Sequence, residues 1–228
     1  MAHRPRRARR GFTLIEAAMA TVIIGVGVVA MVDAQQVFIR SNNWSSKAST
    51  AAFLANEIRE MTRFMPKHDP VTRIEVNTSG GSALLFGWGI ESNEFTVDDL
   101  DDLDDFDGVS FSNFGTITGV SGLYLGPING FGRVIPEIDL QGDVVQISGN
   151  DQPMQGWVQT ITVDPINPFD TSDWLVVNRP DQDQESLVDD PRNIGVETYP
   201  LRVTVRVTYQ GPYDPQPETV TTLQWIVP

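Results

Sequence analysis

The sequence predicts an α+β protein in which a long N-terminal helix packs on an antiparallel β-sheet head. Three observations carry this expectation. The run Phe12–Val32 is apolar apart from Glu16 and two threonines. Residues 34–65 contain neither Pro nor Gly and place small or apolar side chains three or four positions apart. From Val71 onward, short alternating runs are broken by Gly, Pro, Asp and Asn, the pattern of strands and turns.

The first eleven residues form a basic leader. Arg4, Arg6, Arg7, Arg9 and Arg10 lie there without a single acid. The whole chain of 228 residues has 16 Lys and Arg against 30 Asp and Glu, a net charge of −14, so the remainder without those five arginines stands at −19. Such a body repels phosphate backbones, and no nucleic acid is expected as a partner. The basic end reads as a topogenic signal retained in the cytoplasm, with the head outside it. The chain has no cysteine, which removes disulfides, thiolate zinc sites and a cysteine nucleophile.

As a helix, the 21 residues Phe12–Val32 span roughly 31 Å, about one hydrocarbon core, so residues 12–33 are a predicted single-pass transmembrane helix. A removable secretory core is shorter, about 7 to 15 residues. Glu16 is the anomaly, because an acid inside the bilayer costs on the order of 2.5 to 3.5 kcal/mol. A bare anchor gains nothing from it, so Glu16 is expected to have a partner.

The stretch RRARRGFTLIEAAMATVIIGVGV resembles the N-terminal signal of type IV pilins and of type II secretion pseudopilins: basic leader, Gly11, then Phe12, Thr13, Leu14, Ile15, Glu16 and an apolar run. The resemblance implies cleavage by a prepilin peptidase between Gly11 and Phe12 and methylation of the new Phe12 amine. It also implies pairing of Glu16 with the terminal amine of a neighbouring subunit, and assembly with sibling subunits into a pilus or pseudopilus. Farther along, Leu54, Ala55, Asn56 and Glu57 in an Ala-rich segment look like the minor pilins of the PilV type and minor pseudopilins. The proline that major pilins carry near Asp33 is missing, which favours a minor subunit. Two other readings compete. A plain signal anchor leaves Glu16 without a reason. A twin-arginine export signal, using Arg9, Arg10 and Phe12 with cleavage after Ala34, leaves the GFTLIE string without one.

Residues 34–65 are expected to continue the helix amphipathically into the head, with Ala34, Val37, Phe38, Ser41, Ser45, Ala48, Ala51, Ala52, Ala55, Ile58 and Met65 on one face and Pro66 as the stop. Gly25 and Gly27 weaken it locally, by about 1 kcal/mol each. In the head, residues 66–228, a hairpin is predicted from Arg73–Asn77 and Ala83–Trp88, with strands at Val158–Val163 and Trp174–Val177. The clearest strand is Leu201–Tyr209, whose odd positions are apolar and whose even positions are Arg or Thr; Thr219–Val227 is its antiparallel return.

The head offers little chemistry. Asp98, Asp99, Asp101, Asp102, Asp104, Asp105 and Asp107 precede Gly108. Asp101, Asp102, Asp104, Asp105 and Asp107 are candidate calcium ligands, since calcium takes six to eight hard oxygens, although an EF-hand register fails. The alternative is a solvated acidic loop that docks through Leu100, Leu103 and Phe106. Asp181–Asp190 reads as a second acidic surface loop. The two histidines are His3, in the leader, and His68, expected in a linker. No nucleophile elbow accompanies His68, and Gly87-Trp88-Gly89 lacks the third glycine of a dinucleotide loop. Trp157, Trp174 and Trp225 are expected in the core. The sequence therefore predicts a structural subunit with no catalytic residues. The alternative is an exported or anchored binding head, such as a calcium-dependent adhesin.

Overall fold

The computed structural model describes residues 13–71, 74–77, 84–167, 170–174 and 199–228. The chain divides into two compact units, one ending at Lys47 and the other running from Ala48 to Pro228.

Helix α1 spans Leu14–Thr62 without interruption. Gly25 and Gly27 do not break it, and a methyl group added at either would meet nothing within 4 Å. Its start is fixed by a capping box. The Thr13 N–H and hydroxyl both donate to Glu16 Oε2 at 2.9 Å, and the Glu16 N–H points back to Thr13 Oγ1 at 3.4 Å. The helix ends at Thr62, three residues short of the expected Met65. Met65 precedes Pro66, a position that disfavours helical backbone, and the chain leaves through tight turns from Arg63 N to Glu60 O and Met65 N to Thr62 O.

In the first unit the helix exposes its apolar side chains throughout: Leu14 is 91% exposed, and Ile23, Val29, Val37 and Phe38 are also open. Within the second unit, Ala51, Leu54, Ala55, Ile58 and Thr62 are buried. The expected docking stripe thus begins at Ala51 rather than Ala34. A three-and-four repeat records that a face is apolar, not what covers it.

The head is a sheet with this helical segment on one face. Among the described residues, six strands form it. These are β3 (Ser110–Ser112), β4 (Leu123–Leu125), β7 (Trp157–Asn167), β8 (Asp170–Trp174), β9 (Leu201–Tyr209) and β10 (Glu218–Val227), in the order β10-β9-β7-β3-β4 with β8 also on β7. Two small hairpins stand apart: β1 (Glu75–Asn77) with β2 (Leu84–Phe86), and β5 (Gln146–Ile147) with β6 (Asn150–Asp151). The predicted first hairpin is therefore present but shorter, and Trp88 lies outside it. Of the strand expected at Trp174–Val177, Trp174 closes β8 and the rest lies outside the described residues. Strand β9 has the predicted limits, and β10 pairs with it antiparallel through a bulge at Thr219–Thr221. One pairing departs from the antiparallel expectation: β3 and β4 are parallel.

The core follows from period-2 alternation. Leu201, Val203, Val205 and Val207 of β9 face the helix beside Ile161 and Val163 of β7, all at most 1% exposed. On the outer face Arg202 pairs with Asp164 at 3.2 Å, directly across the same two strands. Trp157 is buried, with its ring 4.7 Å from that of Tyr209 and tilted 50° to it, as a core aromatic should be.

One inward position is polar. Gln159, fully buried, donates from Nε2 to the carbonyls of Leu54 at 2.8 Å and Ile128 at 3.1 Å, and accepts the Ile128 N–H at 2.8 Å. A single amide thus joins helix, sheet and the 127–135 loop. Glu57 adds a second tie by accepting the Gly130 N–H at 2.6 Å. Replacing Gln159→Leu strands buried groups of Ile128 without partners. It should lower unfolding free energy by roughly 2 to 4 kcal/mol, read as a lower urea midpoint for the full chain in detergent micelles with the slope unchanged.

Candidate functional site

Two regions bear on function: the start of α1 and the acidic segment of the head. At the first, the described residues begin at Thr13, so the Gly11–Phe12 junction lies outside them. Glu16 is in place at the third helical position, where its carboxylate caps the helix and its charge faces the positive end of the helix dipole. The Thr-x-x-Glu spacing that signals such a cap is written in the sequence as Thr13-Leu14-Ile15-Glu16, so Glu16 has a local partner beside the one expected in another subunit.

The acidic segment is not the solvated loop expected as the alternative to a metal site. Leu100, Leu103 and Phe106 are buried as predicted, but so are Asp102, Asp104 and Asp105, each 1% exposed. Of two three-residue 3₁₀ turns, Val97–Asp99 buries none of its side chains, whereas Asp104–Phe106 winds the chain tightly enough to turn two acids and an apolar side chain inward together.

Each buried carboxylate has backbone work. Asp102 Oδ1 accepts the N–H groups of Asp104 and Asp105, and Asp105 Oδ2 accepts those of Asp101 and Asp102. Asp104 Oδ2 accepts the Gly89 N–H at 3.3 Å. Asp107 accepts from Trp88 Nε1 at 3.1 Å with one oxygen and from the Val163 N–H at 3.0 Å with the other. That last bond extends the strand ladder. The β3 pairing reaches only to Thr160, Val109 and Gly108 carry the hydrogen bonding on to Ile161, and Asp107 serves the next inward-facing residue of β7.

The segment before the acids folds over them. Trp88 and Gly89 are held as described, and the Glu91 N–H donates to Glu94 Oε2 at 2.9 Å in a tight turn. His68 is no linker residue. Its side chain is 9% exposed, its Nδ1 lies 3.4 Å from Asp104 Oδ1, and its ring sits 5.8 Å from that of Trp88.

Burial sets the electrostatics. It pushes Asp102 up to about 8, with Asp104 adding to the rise, and Asp104 up to about 6. Burial likewise raises Asp105, reinforced by the charges of Asp102 and Glu91, and raises Glu94 beside it. Asp107 is raised by burial against the pull of its two donors. Burial thus favours the protonated form of each of these carboxyl groups, or a nearby counter-charge.

Oxygens from Glu91, Glu94 and Asp105 lie within 4.8 Å of one another, and so do those from Asp101, Asp102 and Asp105. Of the five predicted ligands, Asp101, Asp102 and Asp105 thus come together, whereas Asp104 turns to Gly89 and His68 and Asp107 to Trp88 and Val163. Glu91 and Glu94, absent from the predicted set, join Asp105. Their Glu-x-x-Glu spacing was visible, but only folding brings that turn beside an acid more than ten residues away. The acidic stretch Asp181–Asp190 lies outside the described residues.

Comparison with known proteins matches residues 6–32 to the prokaryotic N-terminal methylation motif. No curated protein and no solved structure matches the chain. The N-terminal segment is therefore of the prepilin type found in type IV pilins and pseudopilins, and among the described residues α1 is the one helix long and apolar enough to cross a membrane.

The buried cap on β7 is open to test. Asp107→Ala leaves the Val163 N–H and the Trp88 indole without acceptors and should cost roughly 1 to 3 kcal/mol. Chemical denaturation should show the loss, and amide exchange should quicken at Val163 before it does at Val203.

Proposed function

We propose that this protein is a minor subunit of a type IV pilus or type II secretion pseudopilus, made as a precursor and incorporated into a fibre. In this proposal residues 1–11 are the leader, 12–33 the membrane helix, 34–65 its continuation into the head, and 66–228 the head. A prepilin peptidase cuts between Gly11 and Phe12 and methylates the Phe12 amine. The subunit waits in the inner membrane with its head outside the cytoplasm, then enters the fibre by helix packing against sibling subunits. No catalytic chemistry is assigned to it.

The observation that carries this reading is the pairing of a methylation-type N-terminus with one carboxylate, Glu16, on an otherwise exposed apolar helix. Lipid alone does not explain the helix surface. Val37, Phe38, Ile39 and Trp44 remain at least 50% exposed beyond Asp33, so apolar side chains continue past the length that one hydrocarbon core covers. Packing against other helices buries such a stretch. In that setting Glu16 and a neighbour's amine, each costly alone in an apolar surround, offset one another.

Mass spectrometry of the protein from cells with an active peptidase should give a chain beginning at N-methylated Phe12. A start at Gln35 instead supports a soluble exported protein and overturns the proposal. Gly11→Ala should leave most of the chain as precursor, scored by its mass. Glu16→Ala should be cleaved and inserted normally. It should enter fibres more than about a hundredfold less well, because it removes one member of a buried charge pair. Fibre incorporation equal to wild type would refute the pairing role.

A further inference from the structure

We propose that Glu91, Glu94 and Asp105 form a calcium site that fastens the turn at 91–94 to the buried acidic segment. Two independent observations carry the assignment. The first is convergence. Three carboxylate oxygens lie within 4.8 Å of one another. A calcium ion takes oxygens at about 2.4 Å, so oxygens on opposite sides of it stand about 4.8 Å apart. The second is an orphan. Asp105 is 1% exposed, and its Oδ1 has no hydrogen-bond donor, while its Oδ2 is occupied by two backbone N–H groups. An acceptor buried so completely without a donor is expensive to leave unmet. A cation between the three acids meets it.

The alternative trio Asp101, Asp102 and Asp105 fits less well. The Asp102 Oδ1 and Asp105 Oδ2 atoms are already engaged by backbone N–H groups within the segment, and Asp101 is exposed. Asp104 is likewise turned away, toward Gly89 and His68. All-oxygen donors of this kind suit hard cations rather than metals that prefer sulfur or nitrogen. Calcium fits better than magnesium because the donors sit on loops and one turn, where irregular coordination is available. Magnesium demands near-ideal octahedral geometry and keeps its waters. Three carboxylates supply at most six oxygens, so backbone carbonyls and waters complete the shell.

The site concerns the head alone and stands apart from fibre assembly. The test uses the full-length chain in detergent micelles, stripped with a chelator that is then removed, with N-terminal processing scored separately by mass. Calcium chloride and magnesium chloride are titrated calorimetrically, and thermal unfolding is followed by tryptophan fluorescence. The expected result is about one calcium per chain, with a dissociation constant in the range of extracellular calcium modules, about 0.1 to 1 mM. At a hundredfold excess over that constant the melting temperature should rise by roughly 5 °C or more, with magnesium giving less. Asp105→Asn and Glu94→Gln should each weaken calcium binding at least about tenfold, while Asp101→Asn keeps it. Glu94 is only partly buried, so Glu94→Gln reports on the site even where a change at Asp105 disturbs the core. The proposal fails if stripped wild type shows neither heat nor shift, or if magnesium matches calcium. It also fails if both variants bind calcium as wild type does, or if Asp101→Asn abolishes binding.

Discussion

A single helix, Leu14–Thr62, has to satisfy two different surroundings along its length, and the rest of the molecule is arranged around that constraint. Toward Thr62 its partners are specified atom by atom. Leu54 and Ile58 enter a core of valines and isoleucines, the Leu54 carbonyl takes a bond from buried Gln159, and Glu57 holds the 129–132 turn through Gly130. Toward Leu14 the side chains are apolar apart from Thr13, Glu16 and Thr21, and among the described residues they stand exposed. Bonds such as those of Gln159 fix orientation, whereas greasy surface fixes only a preference for leaving water. The anchored end of the helix therefore supplies precision, and the free end supplies adaptability, the property that the proposed exchange of lipid for neighbouring helices requires.

The buried acids serve the head in a comparable way. A loop with little regular structure still has backbone N–H groups to satisfy, and the carboxylates of Asp102, Asp104, Asp105 and Asp107 accept six, those of Gly89, Asp101, Asp102, Asp104, Asp105 and Val163. The cost is concentrated charge in a place where burial opposes ionisation. Structure in the loop and unusual electrostatics thus have one origin.

Much of this was legible in the sequence wherever one local pattern had one physical meaning. Alternation at Leu201–Tyr209 set the strand and its inward face, because residues of period 2 can only divide between two sides. The GFTLIE string fixed the nature of the N-terminus, and Pro66 placed the end of the helix to within one turn. Legibility failed where meaning depended on distant residues. The stripe from Ala34 to Ser45 looks like the one from Ala51 to Ile58, yet only the latter meets a core. Gln159 shares the inward phase of Ile161 and Val163, but an amide has no reason to face a core until Leu54 and Ile128 stand beside it. Asp102, Asp104 and Asp105 look solvated until the segment from Trp88 to Glu94 folds over them. Three-residue strands such as β3 and β4 are too short to leave a period at all, and their parallel pairing is set by the ten-residue connection between them.

Glu16 shows how a local and a distant meaning can coexist in one side chain. Its capping bonds with Thr13 converge on one oxygen, Oε2. A carboxylate offers two oxygens and about four acceptor positions, so a cap and an intersubunit pair draw on different capacity. The cap also prepares the pair. By fixing the carboxylate against the first turn it removes rotamer freedom that a new contact would otherwise have to take away, and it satisfies backbone donors that lipid cannot. A helix start held in this way is ordered before a neighbour arrives, and the added cost of the acid in an apolar surround is already partly offset in the lone subunit. In the proposed fibre, pairing with a neighbouring amine would then supply a full countercharge on top of the dipolar one, a driving force for assembly that does not require the waiting subunit to be unstable.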